Sequence, residues 1–67
     1  MNYYELLDEK AKLGMKALID YLEQDRNLLY TIIDGEDYTE IQIETWDDCS
    51  TTEFLTSYEF DEDGNVI

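Results

Sequence analysis

From Asn27 to Ile67 the chain carries twelve acidic side chains and no basic one. Residues 1–26 hold six acids and all four bases, Lys10, Lys12, Lys16 and Arg26. A fold built from this sequence must spread the acids of its second half through water. No neighbour of opposite sign lies in that half to neutralise them, and like charges raise the free energy of the compact state. The same field repels nucleic acid and anionic membrane, and it attracts basic proteins.

A formal charge of −14 favours disorder, but 43% of the residues are hydrophobic, among them six Tyr, two Phe and one Trp. That is enough apolar surface to drive folding. Residues 1–67 read as one small acidic domain with no linker, repeat or low-complexity tract. Below roughly 70–80 residues a core rarely supplies more than about 3–5 kcal/mol. Cys49 is the only cysteine and there is no His, so neither an internal disulfide nor the usual zinc ligand sets are expected. A lone thiol suits a reducing cytosol. MNYYELLDEK lacks the basic and apolar regions of a signal peptide, and no apolar run approaches the roughly 20 residues that span a bilayer.

The chain divides by period. Asn2 with Glu5 fits an N-cap and its capping-box partner. Tyr4, Leu7, Ala11, Met15, Leu18 and Leu22 then recur at three and four residues, a helical stripe. Asp8 and Lys12 are a favourable i,i+4 pair, and Asn27 is a candidate C-cap. Gly14 interrupts the stripe at about 1 kcal/mol against Ala, and Leu6 and Leu13 lie on the opposite side. One helix, bent or continuous, is preferred, with two short helices broken near Gly14 the alternative.

From Leu28 the pattern becomes that of strands. LLYTII reads as a strand buried on both faces. Asp34-Gly35-Glu36-Asp37 is turn chemistry, and Tyr38 to Trp46 alternates with period two, as a strand with one wet face does. Asp47-Asp48-Cys49-Ser50 marks the next turn. Thr52 to Phe60 is a third strand with Phe54, Tyr58 and Phe60 inward, and Asn65-Val66-Ile67 after the Asp61–Gly64 turn offers the stub of a fourth. The expected class is α+β, the helical segment packed on a three- to four-stranded antiparallel meander.

Catalysis finds little support. There is no His for general base work and no imidazole to activate a Ser or Cys. There is no Gly-rich phosphate loop. No catalytic residue, cofactor or metal ligand is expected. Glu59-x-Asp61-x-Asp63-Gly64 resembles the first half of a calcium loop, but the closing Glu is missing and the flanks read as strands. A hairpin turn with Gly in the left-handed region is the preferred reading. Cys49 beside Asp47 and Asp48 reads as an incidental turn residue, since nearby negative charge makes a thiol a poor nucleophile.

The segment TEIQIETWDD carries the sharpest functional question. Ile41 and Ile43 point to the core, while Tyr38, Glu40, Gln42, Glu44, Trp46 and Asp48 share the other parity. Glu40 and Glu44 suit a solvated face whose charges discourage aggregation. Tyr38 and Trp46 suit it badly, and either close the edge of a small core or form part of an interface, where such rings concentrate. Same-face residues on a strand repeat every 6.6–6.8 Å or so, about twice the phosphate spacing of about 3.4 Å along one DNA strand, so a row of carboxylates joined by acids from the turns can imitate a row of phosphates. The candidate partner-binding residues are Glu36, Asp37, Tyr38, Glu40, Glu44, Trp46, Asp47 and Asp48.

In size, acidity and helix-then-antiparallel-strand order, the whole chain resembles the small acidic proteins with which phages and mobile elements block host nucleases. These are anti-CRISPR proteins, anti-restriction proteins and uracil-DNA glycosylase inhibitors. No motif underlies the likeness, so no functional residue is carried over by position. Those families occupy the nucleic-acid site of their targets. The resemblance implies a non-enzymatic DNA mimic, monomeric and cytoplasmic, whose partner is a basic nucleic-acid-binding protein such as a nuclease or CRISPR effector. It implies no direct contact with nucleic acid or membrane. An immunity protein or antitoxin directed at one basic toxin is the alternative, and a non-inhibitory phage or plasmid accessory protein a third.

Overall fold

The computed structural model describes residues 2–46 and 51–67. The turn expected at Asp47-Asp48-Cys49-Ser50 therefore lies outside the described residues. Two helices, α1 (Tyr3–Lys12) and α2 (Met15–Gln24), precede three strands, β1 (Leu28–Asp34), β2 (Thr39–Trp46) and β3 (Thr52–Phe60). The strands form one antiparallel sheet in the order β1-β2-β3. This is the α+β class with an antiparallel meander.

The helical segment is two helices, and the preference for one is corrected. Asn2 Oδ1 accepts the Glu5 amide at 2.9 Å and starts α1. At Gly14 the backbone leaves helical space, with φ 121° and ψ 163°, a region open essentially to glycine alone. The Met15 amide, which a continuous helix would direct to Ala11, instead donates to the Gly64 carbonyl at 2.9 Å. The apolar stripe survives the break because each helix keeps its own i,i+4 pair in the core, Leu7 with Ala11 and Leu18 with Leu22. The residue one turn before Leu7 is Tyr3, which packs on the core, whereas Tyr4 is exposed. Asp25, rather than Asn27, caps α2 and accepts the Asn27 amide at 2.9 Å. Leu13 faces water and Leu6 is half-buried.

The helices cover one face of the sheet. Leu7, Ala11, Leu18 and Leu22 meet Leu28, Ile41, Ile43 and Phe60, and these eight form the buried core. Ile41 and Ile43 on the central strand are fully buried, as their alternation predicts.

Two strand expectations change, and the stub of a fourth strand is short. β1 is an edge strand, buried only at Leu28, so LLYTII is not covered on both faces. The helices pack on one face of the sheet only, so the other face of β1 and its outer edge stay open to water. In β3 the register shifts opposite Ile43 and Glu44, where Leu55 is the extra residue. The bulge reverses parity, so Phe54 faces outward at 59% exposure while Leu55 packs against the core. Tyr58 and Phe60 point inward as expected. The fourth strand is reduced to a single bridge, Phe60 to Val66, beyond a turn in which Asp61 Oδ1 accepts the amides of Asp63 and Asn65. Gly64, at φ 84°, supplies the left-handed residue that closes this turn.

Candidate protein-binding face

The sheet has a second face, which the helices leave bare. Its residues follow from the register. Leu29, Glu44 and Phe54 stand in one row across the three strands, Thr31, Gln42 and Ser57 in the next, and Ile33, Glu40 and Glu59 in the third. Trp46 and Thr52 extend the face beyond the first row. Leu29 and Ile33 are each 38% exposed and Trp46 41%. The bare face is thus a mixture of large apolar groups and carboxylates, with no base among them.

Glu40 and Glu44 lie where the alternation placed them. Glu40 accepts a long hydrogen bond from Gln42 Nε2 at 3.4 Å, and Glu44 one from Thr52 Oγ1 at 3.4 Å. Trp46 is on this face and outside the core cluster. Its amide donates to the Asn27 carbonyl at 3.1 Å, which fixes the end of β2 against the start of β1. The same carbonyl accepts Thr45 Oγ1 at 3.2 Å.

Glu36, Asp37 and Tyr38 occupy the hairpin at the opposite end of β2. The Gly35 amide donates to the Tyr38 carbonyl at 2.8 Å, leaving Glu36 and Asp37 as the two turn residues. The Tyr38 ring lies back over Gly35, where a Cβ would collide with it. Gly35 is needed for this close approach. Tyr38, Glu36 and Asp37 line a shallow hollow with Asp61 and Glu62 of the C-terminal turn, so two acidic turns meet at this end of the sheet. About 24 Å of strand separates this end from Trp46, counted over β2 at about 3.4 Å per residue. The expected residues form a strip along the central strand with an acidic end. Asp47 and Asp48 lie outside the described residues.

The acids of the helical half are placed differently. Tyr58 donates to Asp8 at 3.2 Å, Tyr30 to Glu23 at 3.0 Å and Tyr21 to Asp25 at 3.2 Å. Burial, followed by the Asp8 bond, pushes the Tyr58 hydroxyl up to about 12. Tyr21 is raised by burial and then by Asp25, and Tyr30 chiefly by its hydrogen bond to Glu23. Three carboxylates of the helical half therefore tie helices to strands or close a helix end, while Glu40 and Glu44 of the bare face accept long hydrogen bonds from neutral groups.

Four residues of this face escape the alternation of β2 alone: Leu29, Ile33, Phe54 and Glu59. The first two would follow from reading LLYTII as an edge strand with one covered face. Phe54 and Glu59 fall on the same face only because of the bulge. Among the described residues, no three His, Cys, Asp or Glu side chains converge in a way that could hold a metal ion. Among the same residues, no helix is long and apolar enough to cross a membrane. Compared with protein-family models, with curated proteins and with solved structures, the chain finds no match.

Proposed function

We propose that this protein is an inhibitor that binds the basic nucleic-acid-binding surface of a host nuclease or CRISPR effector by DNA mimicry, acting in the cytoplasm by occupation rather than by catalysis. The observation that carries the reading is the bare sheet face, with Glu40, Glu44 and Glu59 set among Leu29, Ile33, Trp46 and Phe54. A groove of Lys and Arg would be steered to the carboxylates. Apolar anchors would then add contacts that a plain polyanion lacks. The acidic turns at the hairpin end lengthen the charged strip.

The apolar share of the face favours a second reading, an immunity protein or antitoxin. Leu29, Ile33 and Phe54 imitate no phosphate, and they suit a partner surface that is itself partly apolar. Competition separates the two. Purified guide-loaded CRISPR effectors and restriction nucleases are assayed for DNA cleavage with the protein in excess, and complexes are challenged with duplex DNA. A mimic inhibits cleavage and is displaced by the duplex. Binding that persists in saturating duplex favours the immunity reading. If no member of the panel is bound or inhibited, mimicry of DNA before these enzymes is refuted.

A further inference from the structure

The two edges of the sheet are unlike. The β3 edge is interrupted by the bulge at Leu55, carries Glu53 and Glu59, and is covered at one end by the C-terminal residues, where Val66 bridges Phe60 and the Ile67 amide donates to the Glu59 carbonyl at 2.9 Å. These are the devices that keep a strand edge from pairing. Up to its last residue, Asp34, the β1 edge has none of them. From Leu28 to Ile33 it is uncharged, without proline and without a bulge, and Ile32 is 47% exposed on the helix-bearing side.

The direction of its free hydrogen-bonding groups follows from the ladder. The Gly35–Tyr38 and Asn27–Trp46 bonds bracket β1, so by antiparallel alternation Leu29, Thr31 and Ile33 bond inward to β2. The amides and carbonyls of Tyr30, Ile32 and Asp34 then point away from the sheet, as does the Leu28 carbonyl. The Leu28 amide is already taken by the Asp25 carbonyl at 3.2 Å.

We infer that β1 pairs antiparallel with β1 of a second copy of this chain, joining two three-stranded sheets into one about a two-fold axis at Thr31. In this register Tyr30 and Ile32 of one copy exchange hydrogen bonds with Ile32 and Tyr30 of the other, and the Asp34 amide meets the Leu28 carbonyl. Every outward-pointing group of the edge except the Asp34 carbonyl finds a partner, since the Leu28 amide that would meet that carbonyl is held by Asp25. An isologous contact of this kind closes on itself and stops at two copies. Side chains agree with it. Ile32 lies against Tyr30 of the second copy on the helix-bearing side, and Leu29 against Ile33 of the second copy on the bare side, where the two faces become continuous. The same count brings Arg26 of each copy beside Glu36 of the other, the one base next to the edge meeting an acidic hairpin. The pairing replaces the monomer expected from the sequence and does not depend on any target.

Two chains of this charge repel, so association strengthens as salt is added. Sedimentation equilibrium of the full chain at high micromolar concentration is expected to show twice the chain mass at moderate salt and a shift towards the monomer at low salt. In a Cys49→Ser background, Thr31→Cys places two thiols on the axis as a directly opposed pair, with Cβ atoms about 4.5–5.5 Å apart, and oxidation is expected to join them. Ser57→Cys on β3 is expected to stay unlinked. Ile32→Pro removes an outward amide without touching the β1–β2 ladder. It is expected to weaken dimerisation roughly tenfold or more while leaving a folded monomer. A single chain mass at every concentration and salt overturns the inference. So does equal cross-linking of the two cysteine variants, or a folded Ile32→Pro protein that associates as before. If Ile32→Pro fails to fold, the cysteine pair alone decides.

Discussion

Glu40 and Glu59 stand directly opposite each other on β2 and β3, on the face the helices do not cover. Like charges in directly opposed positions destabilise a sheet, by up to about 1 kcal/mol on the scale of cross-strand pairs. Replacing Glu59 with Thr is expected to stabilise the fold by about 0.5 kcal/mol in urea melts. The same change is expected to slow association with a basic partner, most visibly at low salt. A variant that is more stable and also binds unchanged would remove Glu59 from the interface.

Tyr58 and Asp8 join β3 to α1 through one side-chain hydrogen bond. Tyr58→Phe is expected to cost about 1 kcal/mol, the usual worth of such a bond. The hydroxyl in the folded protein lies at about 12, above its ordinary 10.0. A raised value in the fold means that the protonated hydroxyl stabilises it, in full below pH 10 and progressively less as pH rises towards 12. Tyr21 and Tyr30, also raised, act in the same direction. Stability followed by circular dichroism should fall across this window, and Tyr58→Phe should make the fall shallower.

Gly14 holds φ 121° at the joint between the helices. A Cβ there would lie 3.5 Å from the Gly64 carbonyl oxygen, an ordinary contact, so space is not the obstacle. Backbone strain is. Gly14→Ala is expected to destabilise the protein by about 1–3 kcal/mol, although alanine is the better helix former. A stabilised variant in denaturant melts would mean that the joint can straighten into one helix.

Trp46 is larger than Ile43, yet its loss should matter less to folding. Ile43 is fully buried, whereas Trp46 lies on the bare face at the end of β2. Ile43→Ala is expected to cost about 2–5 kcal/mol. Trp46→Ala is expected to cost below about 1 kcal/mol, and to raise the dissociation rate from a basic partner by the equivalent of roughly 2 kcal/mol if the ring is an anchor. Paired urea melts and surface plasmon resonance distinguish these roles.

Salt should stabilise the isolated chain. Twelve acids without a base from Asn27 onward repel one another, and their field is screened beyond about 10 Å at about 0.1 M ionic strength. The melting midpoint is expected to rise between low and moderate salt. A flat response would mean that the strands and turns already hold these acids too far apart to interact.

The alternation of Ile41 and Ile43 was legible because β2 is central and has one covered face, the situation in which period two is strict. The stripe through Leu7, Ala11, Leu18 and Leu22 was legible for the same reason, but it could not distinguish one helix from two, since a break between turns leaves each i,i+4 pair intact. LLYTII misled because an apolar run has the same composition whether both its faces are buried or one of its edges awaits a neighbour. Phe54 was assigned to the wrong side because one extra residue, Leu55, reverses parity without any mark in composition. Of the candidate site, Glu40, Glu44 and Trp46 could be read from one strand. Leu29 and Ile33 could not while LLYTII is read as buried on both faces, and Phe54 joins the face only through the bulge.

A sheet covered on one side also leaves a calorimetric signature. The heat capacity of unfolding tracks newly exposed apolar area, about 12–15 cal/mol/K per residue in ordinary domains. Here the apolar groups of the bare face already meet water over roughly two- to three-fifths of their area in the fold, so they contribute less to that difference than core residues do. The value should lie at or below the bottom of this range, the stability curve should be broad and shallow, and the thermal transition gradual. A molecule that covers the face would change the curve's shape as well as its height, giving a steeper endotherm from a larger enthalpy and heat-capacity step.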